Sequence, residues 1–255
     1  DRSIALWAFA ASGAVAMALE VLWSRSLALV LGSSVYSFTL VLAVFLVGLS
    51  AGAAWIGRRK LDNPLGRLSW VFLGVAASIA QSHLLVDDLP RVFLALLTGS
   101  RLDVGTVLFL QLLIAAVAIL PAAIGLGGIM PLCVHAYAQT LGDVGRDVGR
   151  AYAANTLGAI VGSFAGGFVL LPILGLDHAI RACLFVEATL AFFLVHKLTT
   201  LAARRTAYAL AGVLAAGAFL LPAWNTRVLV SGVFRVSLAK RFVQDGRLPD
   251  AEVLY

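Results

Sequence analysis

Charge is scarce in this chain. Of its 255 residues only 13% are Asp, Glu, Lys or Arg, whereas 61% are hydrophobic. A water-soluble domain carries about a quarter charged residues and under half apolar ones. So little charge cannot cover so much apolar surface, and lipid must cover the rest. The mean hydropathy of +0.98 says the same. Cysteine is nearly absent. Cys133 and Cys183 both lie inside apolar runs, which excludes a disulfide framework and leaves no metal-ligand spacing. No Gly-rich phosphate loop follows a strand, and neither a nucleophile elbow nor an HExxH motif occurs. The run Gly125-Leu126-Gly127-Gly128 lies between apolar segments, the wrong context for dinucleotides. No catalytic residue and no cofactor is therefore assigned to this chain.

What charge there is leans basic, with a net charge of +6. Arg58, Arg59 and Lys60, then Arg146 and Arg150, then Lys197, Arg204 and Arg205 cluster in short connections between apolar runs. No basic stripe alternates with aromatics, so nucleic acid is not the expected partner. Basic loops orient membrane helices and meet anionic headgroups.

A hydrocarbon core of ~30 Å takes about 20 helical residues. On that template the chain predicts an all-α, polytopic integral membrane protein of 7–8 helices. Eight candidate spans run over 4–31, 35–57, 68–86, 104–121, 124–141, 151–172, 177–196 and 206–222. Gly32-Ser33-Ser34, Asn63-Pro64, Pro121 with Gly125–Gly128, Gly142–Gly149, and Pro172 with Gly175 punctuate them. A short interfacial helix is expected over 89–97. The chain begins at Asp1 rather than Met, and we expect residues upstream of it. The first apolar run is too long for a signal-peptide core and reads as a retained helix. Residues 1–222 thus form a transmembrane domain. Residues 223–255 turn polar and read as an extramembrane arm, with a short strand from Arg227 to Leu238, leading into a soluble domain.

The basic cluster between the second and third spans places the N-terminus in the cytoplasm. Eight crossings would then put the arm in the cytoplasm too, but leave Lys197, Arg204 and Arg205 outside. If 124–141 does not cross fully, that loop moves inside and the arm moves outside.

Small residues recur every fourth position at Gly158, Gly162 and Gly166, and again at Gly48 and Gly52. That spacing lets two helix backbones approach. Polar groups inside apolar runs are the site candidates: Glu20, Arg25, His135, Asn155 and Glu187. An ionisable group at mid-bilayer costs a few kcal/mol, so it faces a protein interior or a watery cavity. Each reads either as a structural polar network or as a substrate or proton site. Glu20 and Arg25, five residues apart, point about 140° apart on one helix and are poor partners for each other. Glu20 therefore calls for a donor on another helix. His178 and Arg181, near a helix start, are expected at the interface.

Several stretches carry a resemblance. They are Leu19-Glu20-Val21-Leu22-Trp23-Ser24-Arg25, Leu31-Gly32-Ser33-Ser34-Val35-Tyr36-Ser37-Phe38, Phe45-Leu46-Val47-Gly48-Leu49 and Gly149-Arg150-Ala151-Tyr152-Ala153-Ala154-Asn155-Thr156-Leu157-Gly158-Ala159. Together they resemble the membrane portion of bacterial fused major-facilitator/spermidine-synthase-like proteins. Trp224-Asn225 with Ser231-Gly232-Val233-Phe234-Arg235 resembles that family's linker. The resemblance implies a bundle similar to a major-facilitator half plus extra helices, in the bacterial inner membrane. It also implies an aminopropyltransferase-like domain beyond Tyr255, using decarboxylated S-adenosylmethionine. This chain would anchor and orient that domain and pass a small amine, with Glu20 and Glu187 as the anionic groups. Two other readings stay open. One is a transporter or channel for a small cationic solute. The other is an accessory subunit of a larger membrane complex or homo-oligomer.

Overall fold

The computed structural model describes residues 2–59, 62–98, 104–137, 144–225 and Leu229. Every regular element among them is helical: α1 (Arg2–Leu31), α2 (Val35–Gly57), α3 (Pro64–Val86), α4 (Leu89–Thr98), α5 (Val104–Tyr137), α6 (Val144–Ala165), α7 (Leu171–Leu194) and α8 (Leu201–Leu220). A π-helical turn, Gly166–Leu170, joins α6 to α7, and a 3-10 turn, Val195–Lys197, ends α7. The expected short helix over 89–97 is α4. The expected strand after Arg227 lies outside the described residues.

Local chemistry sets the ends. Gly32 closes α1 at φ 92°, a left-handed conformation natural to glycine. Ser34 then caps α2, its hydroxyl accepting from the Ser37 amide at 3.1 Å. Asn63 accepts from the Gly66 amide at 3.0 Å, and Pro64 follows it in the first turn of α3. Thr200 accepts from the Ala203 amide at the start of α8.

Five stretches are long and apolar enough to cross a bilayer: Ser3–Leu31, Val35–Gly57, Pro64–Val86, Val104–Tyr137 and Gly145–Lys197. The eight spans expected from sequence are not all found as separate stretches among the described residues. The break expected at Pro121 and Gly125–Gly128 is absent, and α5 runs through it for 34 residues. Helices in lipid tolerate internal proline where neighbours re-satisfy the freed backbone. The glycines serve contact rather than a turn: Gly127 lies on the Leu49 backbone and Gly128 beside Ile56, both of α2. The polar loop expected over 142–149 is also shorter, because α6 already begins at Val144. The sixth and seventh spans run on as Gly145–Lys197, 53 residues, bent at Gly175. That residue's φ of 73° and ψ of 172° are accessible to glycine and strained for other residues. Helix α8 carries Arg204 and Arg205 in its first two turns and is not among these five stretches.

Contacts fix the direction of each helix. Gly158, Gly162 and Gly166 meet Ala10, Ala14 and Ala18 in turn, so α6 lies parallel to α1. Gly48 on Ala123 and Gly52 against Ile124 and Gly128 make α2 parallel to α5. Gln81 donates to the Val117 carbonyl and Val75 covers Gly125, so α3 opposes α5. Ser69 donates to the Ala191 carbonyl while His83 meets Asp177, so α3 opposes α7. The ring pairs Phe192–Tyr208 and Phe185–Phe219 make α8 antiparallel to α7. With α4 set aside, seven long helices alternate in direction. One end of the bundle collects the α2–α3 and α7–α8 connections. There the Asn63 amide donates to the Lys197 carbonyl at 3.0 Å, tying the two basic loops together. The other end collects the α1–α2 turn, the end of α3, the start of α7 and the end of α8.

The core is apolar, with Leu19, Leu22, Trp23, Phe72, Ile79, Ile119 and Ile180 buried. The outside is apolar as well. Leu157, Val161, Phe164 and Phe168 on and after α6 are 61–73% exposed. Water would penalise such a face, and hydrocarbon accepts it.

Because a Cβ at Gly162 would strike the Ala14 backbone, Gly162→Leu must push α1 from α6. We expect it to lower stability in detergent by about 1–3 kcal/mol. Gly212→Ala, where nothing lies within 4 Å, should be neutral or stabilising. Equal unfolding midpoints for the two variants would contradict this packing.

Candidate functional site

Two polar constellations interrupt the apolar bundle. The first is a cavity of about 610 Å³ between α1, the start of α2 and α6, within the range of small-molecule sites. Met17, Glu20 and Ser163 line it near the middle of α1, and Gly32, Ser33 and Ser34 line it at the α1–α2 turn. Arg25, about 140° around α1 from Glu20, borders the same space because the two flank the face that carries Met17, Val21, Ser24 and Ala28. Glu20 is half-buried and Arg25 exposed. Neither forms an ion pair or hydrogen bond among the described residues. The donor expected for Glu20 on another helix is therefore not found; an open cavity stands in its place. At that end of the cavity a polar knot steadies the turn. Gln111 of α5 donates to the Leu31 carbonyl at 2.9 Å, and the Ser37 hydroxyl lies 3.2 Å from the same oxygen. These bonds satisfy the exposed end of α1 where the chain reverses.

The second constellation lies at the same end of the bundle. Arg181 grips Asp177 with two hydrogen bonds of 2.9 Å, from Nε to Oδ1 and from a terminal nitrogen to Oδ2. The His83 Nε2 of α3 stands 2.5 Å from the same Asp177 Oδ1. His83 is buried, and Arg181 is 8% exposed. The paired geometry compensates for burying the charges. Trp224, just past α8, stacks on the His83 ring with centroids 5.0 Å apart and donates its indole N–H to the His83 carbonyl at 2.9 Å. The Asn225 amide then donates to Asp87 at 2.8 Å, and Leu229 is buried beyond it. The segment leaving α8 is thus clamped onto α3 and α7.

The other candidates are scattered. Glu187 is wholly buried on α7, and neither of its oxygens has a hydrogen-bond partner. Asn155 closes on Gly13 of α1, part of the α1–α6 contact. His135 is exposed in the last turn of α5, apart from both constellations. The glycines Gly48, Gly52, Gly158, Gly162 and Gly166 all touch a neighbouring helix. Arg181, expected at the interface, is a buried clamp residue instead, while His178 is exposed. Sequence reasoning missed His83, Asp177 and Gln111. The Asp177–Arg181 spacing of four was a readable ion-pair signal. His83 and Gln111 gave none, because their partners lie on other helices.

Comparison with protein-family models, with curated proteins and with solved structures finds no match for the chain.

Two substitutions probe these polar groups. Arg181→Ala leaves Asp177 and His83 without their shared cation, and we expect a loss of about 3 kcal/mol in an unfolding titration. His178→Ala, at an exposed ring, should cost under about 0.5 kcal/mol. At Glu187 the sign reverses. Glu187→Met replaces an unpartnered buried carboxyl with an apolar side chain of similar length, which should raise stability by about 1–3 kcal/mol. A destabilised Glu187→Met protein would mean that the carboxyl has a partner.

Proposed function

We propose that this chain is the membrane domain of a spermidine-synthase-like protein, anchoring and orienting a soluble domain of aminopropyltransferase-like fold. The observation that carries this reading is the clamp on Trp224. A free tether has no use for a buried indole stacked on a buried imidazole. A tether that must hold a following domain in one orientation does. Asp87, His83, Asp177 and Arg181 then serve as the socket. On this reading the bundle is a major-facilitator-like half in the bacterial inner membrane. Each of its seven long helices crosses once, rather than eight spans crossing. The joined basic loops of 58–67 and 197–205 face the cytoplasm, in keeping with the positive-inside rule. The N-terminus is then cytoplasmic, and the arm leaves on the opposite face. Any decarboxylated S-adenosylmethionine would be bound by the soluble domain, since no nucleotide site is found among the described residues of the bundle.

The cavity favours a second role, the passage of a small amine. It reaches the α1–α2 turn, on the face from which the arm leaves, and it is lined by the unpartnered Glu20. A transporter for a small cationic solute would use the same feature without any soluble domain.

Sidedness and the clamp are tested together in spheroplasts, with Cys133 and Cys183 replaced by Ala. A cysteine at Ala223 should react with an impermeant maleimide added outside, and one at Thr199 only after lysis. Trp224→Ala should speed tryptic cleavage at Arg227 severalfold. Labelling of both cysteines from one side would overturn the seven-helix reading, and unchanged cleavage would overturn the anchoring role.

A further inference from the structure

The charges around the cavity say more about its ligand than the word amine does. Glu20 supplies one negative charge and Arg25 one positive charge, and no other ionisable side chain lines the space. The site is therefore neutral overall. A diamine would satisfy Glu20 with one ammonium and bring its second charge against a wall without a carboxylate and beside a guanidinium. Like charges at close range disfavour that pose. A ligand bearing one ammonium and one carboxylate meets both groups. Arg25 suits the carboxylate, since a guanidinium donates two parallel hydrogen bonds to it. The two side chains leave α1 five residues apart, about 7.5 Å along its axis. Charges on adjacent carbons would not reach so far without bending both side chains inward. A chain of several methylenes does, and beside Ser24 the wall offers it the apolar Val21, Leu27 and Phe38.

Depth gives the polarity. Arg25 lies nearer the α1–α2 turn, and so the membrane surface, than Glu20, so the ammonium sits the deeper of the two charges. A resident phospholipid has the reverse order, its phosphate deeper than its ammonium. The shared chemistry of an ammonium and an oxyanion thus points to a free solute rather than a lipid headgroup.

We propose that the cavity binds an aliphatic ω-amino acid, with its ammonium on Glu20, its carboxylate on Arg25 and its methylenes along the apolar wall. This deepens the amine-passage reading and rests on it.

The test uses the purified chain in detergent, titrated calorimetrically with 6-aminohexanoate, 1,6-diaminohexane and adipate. The amino acid should bind at least tenfold more tightly than either symmetric compound. Glu20→Gln should weaken it at least tenfold and improve adipate; Arg25→Gln should weaken it likewise and improve the diamine. That reciprocal switch separates a lost charge from a misfolded protein, which would bind nothing. Preference of the unaltered chain for the diamine, untouched by Arg25→Gln, would overturn the proposal and leave amine passage standing. Binding of none of the three would overturn both. Competition of 6-aminohexanoate by phosphatidylethanolamine nanodiscs, and not by phosphatidylglycerol ones, would assign the site to lipid and overturn the proposal.

Discussion

The bundle depends on how closely two helix backbones approach. In hydrocarbon no hydrophobic force drives helices together, because lipid tails are as apolar as leucine side chains. What remains is van der Waals contact and the few hydrogen bonds that cross between helices. Gly158, Gly162 and Gly166 bring α6 onto the Ala10, Ala14 and Ala18 backbone of α1, and Gly48, Gly52 and Gly127 do the same for α2 and α5. The two pairs form the frame on which everything else rests. The cavity is the space left between α1, α2 and α6 where that contact opens. Asn155, polar in an apolar helix, is accommodated because its partner position is Gly13.

Polar groups in the bundle sort by what surrounds them. Arg181, Asp177 and the Nε2 of His83 bond one another and fix the exit of the chain, while the buried His83 Nδ1 has no partner among the described residues. Gln111 and Ser37 satisfy the end of α1. Glu20 and Arg25 satisfy nothing within the described structure and face open space. Glu187 faces neither partner nor cavity. The first two groups read as architecture and the third as a place for a ligand. The last is a buried cost whose benefit the bundle does not display.

Much of this was legible in the sequence. Runs of apolar residues about 20 long gave the helices, and the four-residue glycine spacing gave the contact faces. Gly32-Ser33-Ser34 and Asn63-Pro64 announced two ends through caps that act within a few residues. The errors came where one residue type serves two purposes. Pro121 and Gly125–Gly128 resemble a turn, yet tertiary contact with α2 makes them a helical surface. Gly175, by contrast, is a true break, because its backbone leaves the helix at a φ of 73°. The cavity was half legible: Glu20 and Arg25 stood out, but that they share a space depends on α2 and α6. His83 and Trp224 lie 141 residues apart, and no local pattern connects them.

The register between α1 and α6 has a consequence for how the protein is made. Parallel neighbours cannot be joined by a short turn, so the partner of α1 is encoded well over a hundred residues downstream. At about 5–20 residues per second, α1 waits on the order of ten seconds in the membrane with its alanine face against lipid. Closing so long a loop is paid for in chain entropy before any contact forms. During that interval Glu20 has neither a finished cavity nor α6 beside it. The hairpin with α2, fastened at the Gly32–Ser34 turn, is the first structure available to shield it, and α5 joins it before α6 is made. Insertion order, rather than final stability alone, therefore bears on where a carboxylate can sit in α1. A position that the finished bundle tolerates must first be survived by a partial bundle that lacks α6.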